Sequence, residues 1–272
     1  MIQHFRFGSP IRTDSVVQDI PVSTGAVPFL TADADGWVYT MAPDAIVYGL
    51  GEMPRGINKR GWHYVANNTD ESHHGENKVS YYGAHNFLLI DGGPGGDLFG
   101  VFVDFPGKVH YDIGYTVHDT LRFATEEPDY ELYILTGADL NDIAHQFRQL
   151  IGRSYIPPKW AFGLQQSRWG YKTAEDVREV ARQYKENDLP LDMICMDIDY
   201  MQDYADFTIN KERFPDLAAL AAELKAQGIR LVPIIDAGVR IDPEEPTCTE
   251  GLEKGYFCKK EDGTPFVAAV WP

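Results

Sequence analysis

Two carboxylates, Asp197 and Asp199, close the short apolar run Leu191-Asp192-Met193-Ile194-Cys195-Met196 and are the first candidates for chemistry. The run is too brief for a helix and lacks polar alternation. It reads as a parallel strand covered on both faces, and in such sheets ligands bind beyond the carboxyl ends of the strands. Residues two apart on a strand leave the same face, with Cα atoms about 6.6 to 6.8 Å apart. Two carboxylates that break a bond together must flank it from opposite sides. Their gap is about 5 to 5.5 Å when one is the nucleophile and about 6.5 to 9.5 Å when one activates water. The pair therefore reads as acceptors for ligand hydroxyl groups, or as structural acids that cap the next loop's amides or meet Arg168.

Other candidates are weaker. Glu71, His73, His74 and Glu76 have metal-binding side chains at a spacing that matches no defined site, so a solvated loop is expected and no metal. Gly49-Leu50-Gly51-Glu52 lacks the third glycine and the βαβ setting of a nucleotide loop and reads as a turn, which leaves no cofactor indicated. Trp62 and Trp271 suit a core. Trp169, beside Arg168, Gly170 and Tyr171 at a strand end, offers an aromatic face that suits the apolar side of a sugar ring.

The elements that must position these residues fall into two patterns. Up to about Leu135, short runs rich in Val, Tyr and Phe, such as Gly36-Trp37-Val38-Tyr39-Thr40 and Asp44 to Gly49, alternate with turns, an all-β signature. The clearest hairpin joins Asn86–Ile90 to Leu98–Asp104 through a glycine-rich turn. Met53 to Glu76 reads as one long polar loop, a candidate lid. Asp139 then caps a helix with Ile143, Ala144, Phe147, Leu150 and Ile151 on one face and Gly152 at its end, which places a domain junction there.

After Pro157-Pro158 the order becomes strand (Lys159 to Gln165), helix (Thr173 with Asp176 as a capping box), strand, helix (capped by Asp216, stopped by Gly228) and strand (Arg230 to Asp236). Pro233 sits awkwardly in that last strand, since proline cannot donate to a ladder. The sheet should be parallel with right-handed crossovers. An eight-stranded barrel takes roughly 250 residues, and Pro158 to Pro272 supplies 115. If this is a barrel, the chain stops before it closes.

Composition narrows the partners. The 272 residues, 44% apolar, suffice for one large or two ordinary domains. Lys+Arg 24 against Asp+Glu 41 gives a formal charge of -17, which disfavours nucleic acid and anionic membranes and favours a neutral or cationic ligand. The start, Met1 to Gly8, lacks the apolar core of a signal peptide, and no run approaches a membrane span, so a cytoplasmic location is expected. Cys195, Cys248 and Cys258 show no zinc or disulfide spacing and are expected as thiols.

Six motifs taken in order resemble glycoside hydrolase family 31, whose best-known members are retaining α-glucosidases. They are Tyr48-Gly49-Leu50-Gly51-Glu52, Tyr82-Gly83-Ala84-His85-Asn86-Phe87, Pro157 to Gly163, Ser167-Arg168-Trp169-Gly170-Tyr171, Asp197-Ile198-Asp199-Tyr200-Met201 and Val270-Trp271-Pro272. The resemblance implies a mixed fold: a galactose-mutarotase-like β-sandwich over 1–152 with an active-site loop, then the start of a (β/α)8 TIM barrel over 153–272. It implies that Asp197 binds glucose hydroxyls, that Ile198, Ile234, Asp236 and Trp271 line the same subsite, and that Trp169 belongs to the neighbouring one. Asp70, ending Asn67-Asn68-Thr69-Asp70, matches the acid that the family's sandwich loop delivers to the barrel mouth. Two departures stand out. Cys195-Met196 replaces the Trp-Asn that many relatives carry, and the W-x-D-M-N-E nucleophile motif and the later general acid are not in this sequence.

The function implied is therefore the N-terminal portion of an exo-acting α-glucosidase that binds a small oligosaccharide or glucoside and needs the remainder of the barrel to turn over, with no catalytic residue of its own. A non-catalytic carbohydrate-binding module, an α-xylosidase or an α-glucan lyase stays open, as does a homo-oligomer.

Overall fold

The computed structural model describes residues 1–269, so Trp271 and its neighbours lie outside the described residues. The chain divides into two compact units, Met1–Ser154 and a second that starts at Tyr155.

The first unit is built on ten strands: β1 (Ile2–Phe7), β2 (Thr31–Asp33), β3 (Gly36–Thr40), β4 (Ile46–Gly51), β5 (Trp62–Ala66), β6 (Ala84–Asp91), β7 (Leu98–Asp104), β8 (Val109–Ile113), β9 (Thr120–Thr125) and β10 (Tyr130–Thr136). They form two five-stranded antiparallel sheets, β1-β10-β7-β6-β4 and β2-β3-β9-β8-β5. Alternation explains the layering. In β8, Val109, Tyr111 and Ile113 are buried while His110 is exposed. Val47, Ile90, Val101 and Ile134 from one sheet and Tyr39, Tyr111 and Phe123 from the other make a single core. Each fully buried side chain of this size contributes about 1.5 to 3 kcal/mol.

Helix α1 (Leu140–Leu150) covers the opposite face of the first sheet, with Phe147 stacked on Phe87 at 3.7 Å between centroids. Asp139 caps it by accepting from the Asp142 N–H at 2.8 Å. That second cover is why β7 is buried almost without alternation.

Two expectations for this unit need correcting. Met53 to Glu76 is not one loop, because β5 runs through it with Tyr64 and Ala66 buried and Trp62 and His63 exposed. Its polar side faces water, which hid the strand. Gly49-Leu50-Gly51 is not a turn but a β-bulge at the end of β4, where the register with β6 shifts. Gly49 has φ +124, and a Cβ there would run into the Phe87 carbonyl oxygen; Leu50, at φ +66, is fully buried.

The second unit opens with a 3-10 turn over Lys159–Phe162 where a strand was expected. Bonds from the Ala161 N–H to Pro158 O and from the Gly163 N–H to Trp160 O close it. There follow β11 (Gln165–Arg168), α2 (Ala174–Glu186), β12 (Met193–Met196), α3 (Leu217–Ala226), β13 (Arg230–Pro233) and α4 (Pro246–Lys254). The three strands form a parallel sheet in the order β11-β12-β13. Thr173 and Asp176 make the reciprocal capping box, and Asp216 caps α3 from the Ala219 N–H. Val177 and Ala181 of α2 and Leu220 and Leu224 of α3 pack with Ile194 and Met196 of β12.

Pro233 causes no conflict, since it is the last residue of β13 and the Ile234 N–H resumes the bonding to Met196 O at 2.9 Å. Helix α4 went unforeseen. Glu245 caps it through the Thr247 and Cys248 N–H groups, with Pro246 in its first turn.

Replacing Gly49 by Ala should cost roughly 2 to 4 kcal/mol, from the strain of positive φ added to the clash with the β6 backbone. Urea unfolding of the purified variant checks this; an unchanged midpoint would refute it.

Candidate functional site

The parallel register sets Arg168, Met196 and Pro233 level across the three strands. Trp169, Asp197 and Ile234 therefore leave the sheet together at its carboxyl end. Trp169 is 59% exposed directly after β11, and Ile234 is 39% exposed directly after β13.

Asp197 does not continue the strand. It takes an extended conformation and starts a 3-10 turn over Ile198–Tyr200, accepting from the Ile198 N–H at 2.8 Å. The two acids thus do not leave one strand face, and the turn gives them different jobs. Asp197 is half-buried, and a single amide leaves most of its acceptor capacity unused. Asp199 is 4% exposed and meets Arg213, not Arg168: Nη1 lies 3.7 Å from its Oδ1 and donates to its carbonyl at 3.3 Å. Ile198 is buried in the core with Met196, Tyr200 and Phe214, so its side chain supports the site from below.

Beyond Pro233 the chain is tied to the loop that follows β12. The Tyr200 hydroxyl donates to Ile234 O at 2.7 Å, and the Asp236 N–H donates to Asp206 Oδ1 at 3.0 Å. Asp236 is half-buried and Asp206 buried. Burial above all pushes the Asp206 carboxyl up from its ordinary value; the Asp236 N–H opposes this, and the Asp236 charge adds to it.

The loop bearing Asp206 is itself pinned. Gln202 N–H donates to Thr208 Oγ1 at 2.9 Å, Asn210 N–H to Tyr200 O at 2.8 Å, and Asn210 Oδ1 accepts from the Glu212 and Arg213 amides. Asp203, Tyr204 and Phe207 all hold positive φ, and such strain concentrates at functional sites. Sequence reasoning missed Tyr200, Asp206 and Arg213 as parts of this constellation. Asp206 lies in the polar-looking Gln202 to Thr208 stretch, and only folding shows that it is buried.

In the first unit, Asp70 is exposed on a loop held by Thr69 N–H to Tyr81 O at 2.9 Å and Ala84 N–H to Asn68 Oδ1 at 2.8 Å. Hydrogen bonding to the Asp70 carboxylate holds the Tyr82 hydroxyl above its usual range. Glu71 is paired with Lys78 at 2.6 Å and accepts from the His73 N–H, and the hydrogen bond from Lys78, followed by that from the His73 amide, keeps its carboxyl low. Among the described residues no group of three or more His, Cys, Asp or Glu side chains could hold a metal.

Residues 154–272 match the family model for the glycosyl hydrolase family 31 TIM-barrel domain, and residues 26–112 match that family's N-terminal galactose mutarotase-like domain. The chain belongs to glycoside hydrolase family 31. Its fold is a galactose-mutarotase-like β-sandwich followed by the start of the family's TIM-barrel domain.

Alpha-glucosidase 2 of Bacillus thermoamyloliquefaciens is 39% identical over 227 residues, which take in 83% of this chain and 28% of that protein. Human intestinal sucrase-isomaltase is 30% identical over 260 residues, 92% of this chain and 14% of its own length. A family 31 dextranase from Flavobacterium johnsoniae, solved with isomaltotriose, superposes with a TM-score of 0.75 at 24% identity over 91% of this chain and 30% of that one. The chain thus spans less than a third of each of these three proteins.

Two stability outcomes follow from the acids. Arg213→Leu strands the Asp199 carboxylate in the core and should cost roughly 2 to 3 kcal/mol, below the full buried-pair penalty because Arg213 keeps partial solvent contact. Urea titration reads it, and a variant as stable as the parent refutes it. Asp206 has the opposite sign. Its folded pKa is raised, so its contribution to stability is fully present below its ordinary value near 3.8 and is lost as pH rises through the folded value. Asp206→Asn should therefore melt higher than the parent at about pH 7, with the gap closing toward about pH 3. A gap that widens on acidification would sink this account.

Proposed function

We propose that the protein to which this chain belongs is a retaining exo-acting α-glucosidase that removes terminal α-linked glucose from oligosaccharides, and that this chain supplies the sandwich and the first substrate contacts. The observation that carries the reading is Asp197: a half-buried carboxylate at the end of a central parallel strand, with one amide bonded and acceptor capacity left for sugar hydroxyls. Asp236 and Ile234 join it at the same sheet end, and exposed Trp169 provides the aromatic face of the neighbouring subsite. Relatives named alpha-glucosidase support the substrate class.

The nucleophile and general acid are read as lying outside these 272 residues. Asp199 is sunk beside Arg213, and Asp206 is buried on the Asp236 amide, so neither is open to a substrate. Asp70 carries its substrate-binding expectation from the family motif. A cytoplasmic location belongs to the same reading, in keeping with free Cys195, Cys248 and Cys258.

The test compares the 272-residue chain with the protein from the complete reading frame, by release of p-nitrophenol from the α-glucoside. Turnover is expected from the longer protein alone. In it, Asp197→Ala should lower kcat/KM at least about a hundredfold, the equivalent of two lost hydrogen bonds to a charged group. Robust turnover by the 272-residue chain would refute the division of labour, and a preference for the α-xyloside would refute glucose as the substrate.

A further inference from the structure

We infer that Asp206 is a positioning residue for the strand-end subsite: its buried carboxylate, by accepting from the Asp236 N–H, fixes where the Asp236 carboxylate stands. The inference rests on the reading of Asp236 as a sugar contact.

The segment Ile234–Asp236 has left the sheet, because β13 ends at Pro233. Three bonds tie it to β12 and the loop that follows: Ile234 N–H to Met196 O, the Tyr200 hydroxyl to Ile234 O, and Asp236 N–H to Asp206 Oδ1. The first two locate Ile234. The third acts on the backbone of the ligand-facing acid itself, two residues further from the ladder, where a free chain would otherwise swing.

The arrangement is costly in a way that simple loop closure does not require. Asp206 is 4% exposed, flanked by Phe207 at φ +65, on a loop whose Asp203 and Tyr204 are also left-handed. A neutral Asn would accept the same N–H without the burial cost of a charge. The hydrogen bond thus sets the backbone of Asp236, and with it the point from which its side chain starts.

Two measurements on Asp206→Ala and Asp206→Asn test this. In the 272-residue chain, hydrogen exchange at the Asp236 amide should quicken at least about tenfold in Asp206→Ala and stay near the parent rate in Asp206→Asn, beyond whatever change in global stability the amides of α2 and α3 report. In the protein from the complete reading frame, Asp206→Ala should raise KM for the p-nitrophenyl α-glucoside about tenfold or more with a smaller change in kcat, and Asp206→Asn should recover most of that loss. Should Asp206→Ala fail to fold, Asp206→Ser takes its place, since its hydroxyl stops short of the amide. An Asp236 amide indifferent to Asp206, or a parental KM once its protection is lost, overturns the inference. A parent inactive on every α-glucoside overturns the proposed function instead, and the exchange experiment still decides the hydrogen bond.

Discussion

A backbone amide that leaves the ladder of a parallel sheet has to find another acceptor, and the second unit is arranged around how that requirement is met. Aspartates meet it repeatedly. Asp192 accepts from the Leu164 N–H where the sheet begins, Asp197 from the Ile198 N–H where β12 stops, and Asp206 from the Asp236 N–H beyond β13. The shortness of β12 follows from this, since Asp197 bends the chain away from the ladder directly after Met196. So does the local chemistry: acids recruited to end strands are left where a ligand can reach some of them.

Neighbouring acids in one motif consequently divide their work by depth. Asp197 stays half-buried with acceptor capacity unused, while Asp199 sinks beside Arg213 and holds the turn from beneath. The excess of acidic over basic residues fits a ligand that is neutral and rich in hydroxyl donors, for which ionised carboxylates are strong acceptors and carry little repulsion.

Where the determinants were local, the sequence could be read. Thr173 with Asp176, Asp139 and Asp216 announced three helices because a cap and an apolar stripe need only adjacent residues. The β6–β7 hairpin declared itself by its glycine-rich turn. Strand β5 did not, because its Trp62 and His63 face water and blend with the polar loops around them. Lys159–Phe162 reads as a strand from the extended entry that Pro157-Pro158 imposes, although the Pro158 carbonyl accepts from the Ala161 N–H and closes a tight turn instead. At the site, Asp197 and Trp169 were legible from their place at strand ends. The same-face pairing of Asp197 with Asp199 was not, because it assumed the strand would continue. Asp206 could not be found at all, since burial of an acid belongs to the packed structure and leaves no mark on spacing.

The order of strands in the sandwich has a consequence for synthesis. β1 pairs with β10, Ile2 against Leu135, so the earliest strand of the sheet waits for the last one. In the second unit each strand pairs with its successor, so its partners emerge soon after one another. A nascent chain that has not yet delivered β10 therefore holds β1 and the largely apolar β7 with open edges, and its exposure to aggregation or chaperone capture is set by translation through that one interval.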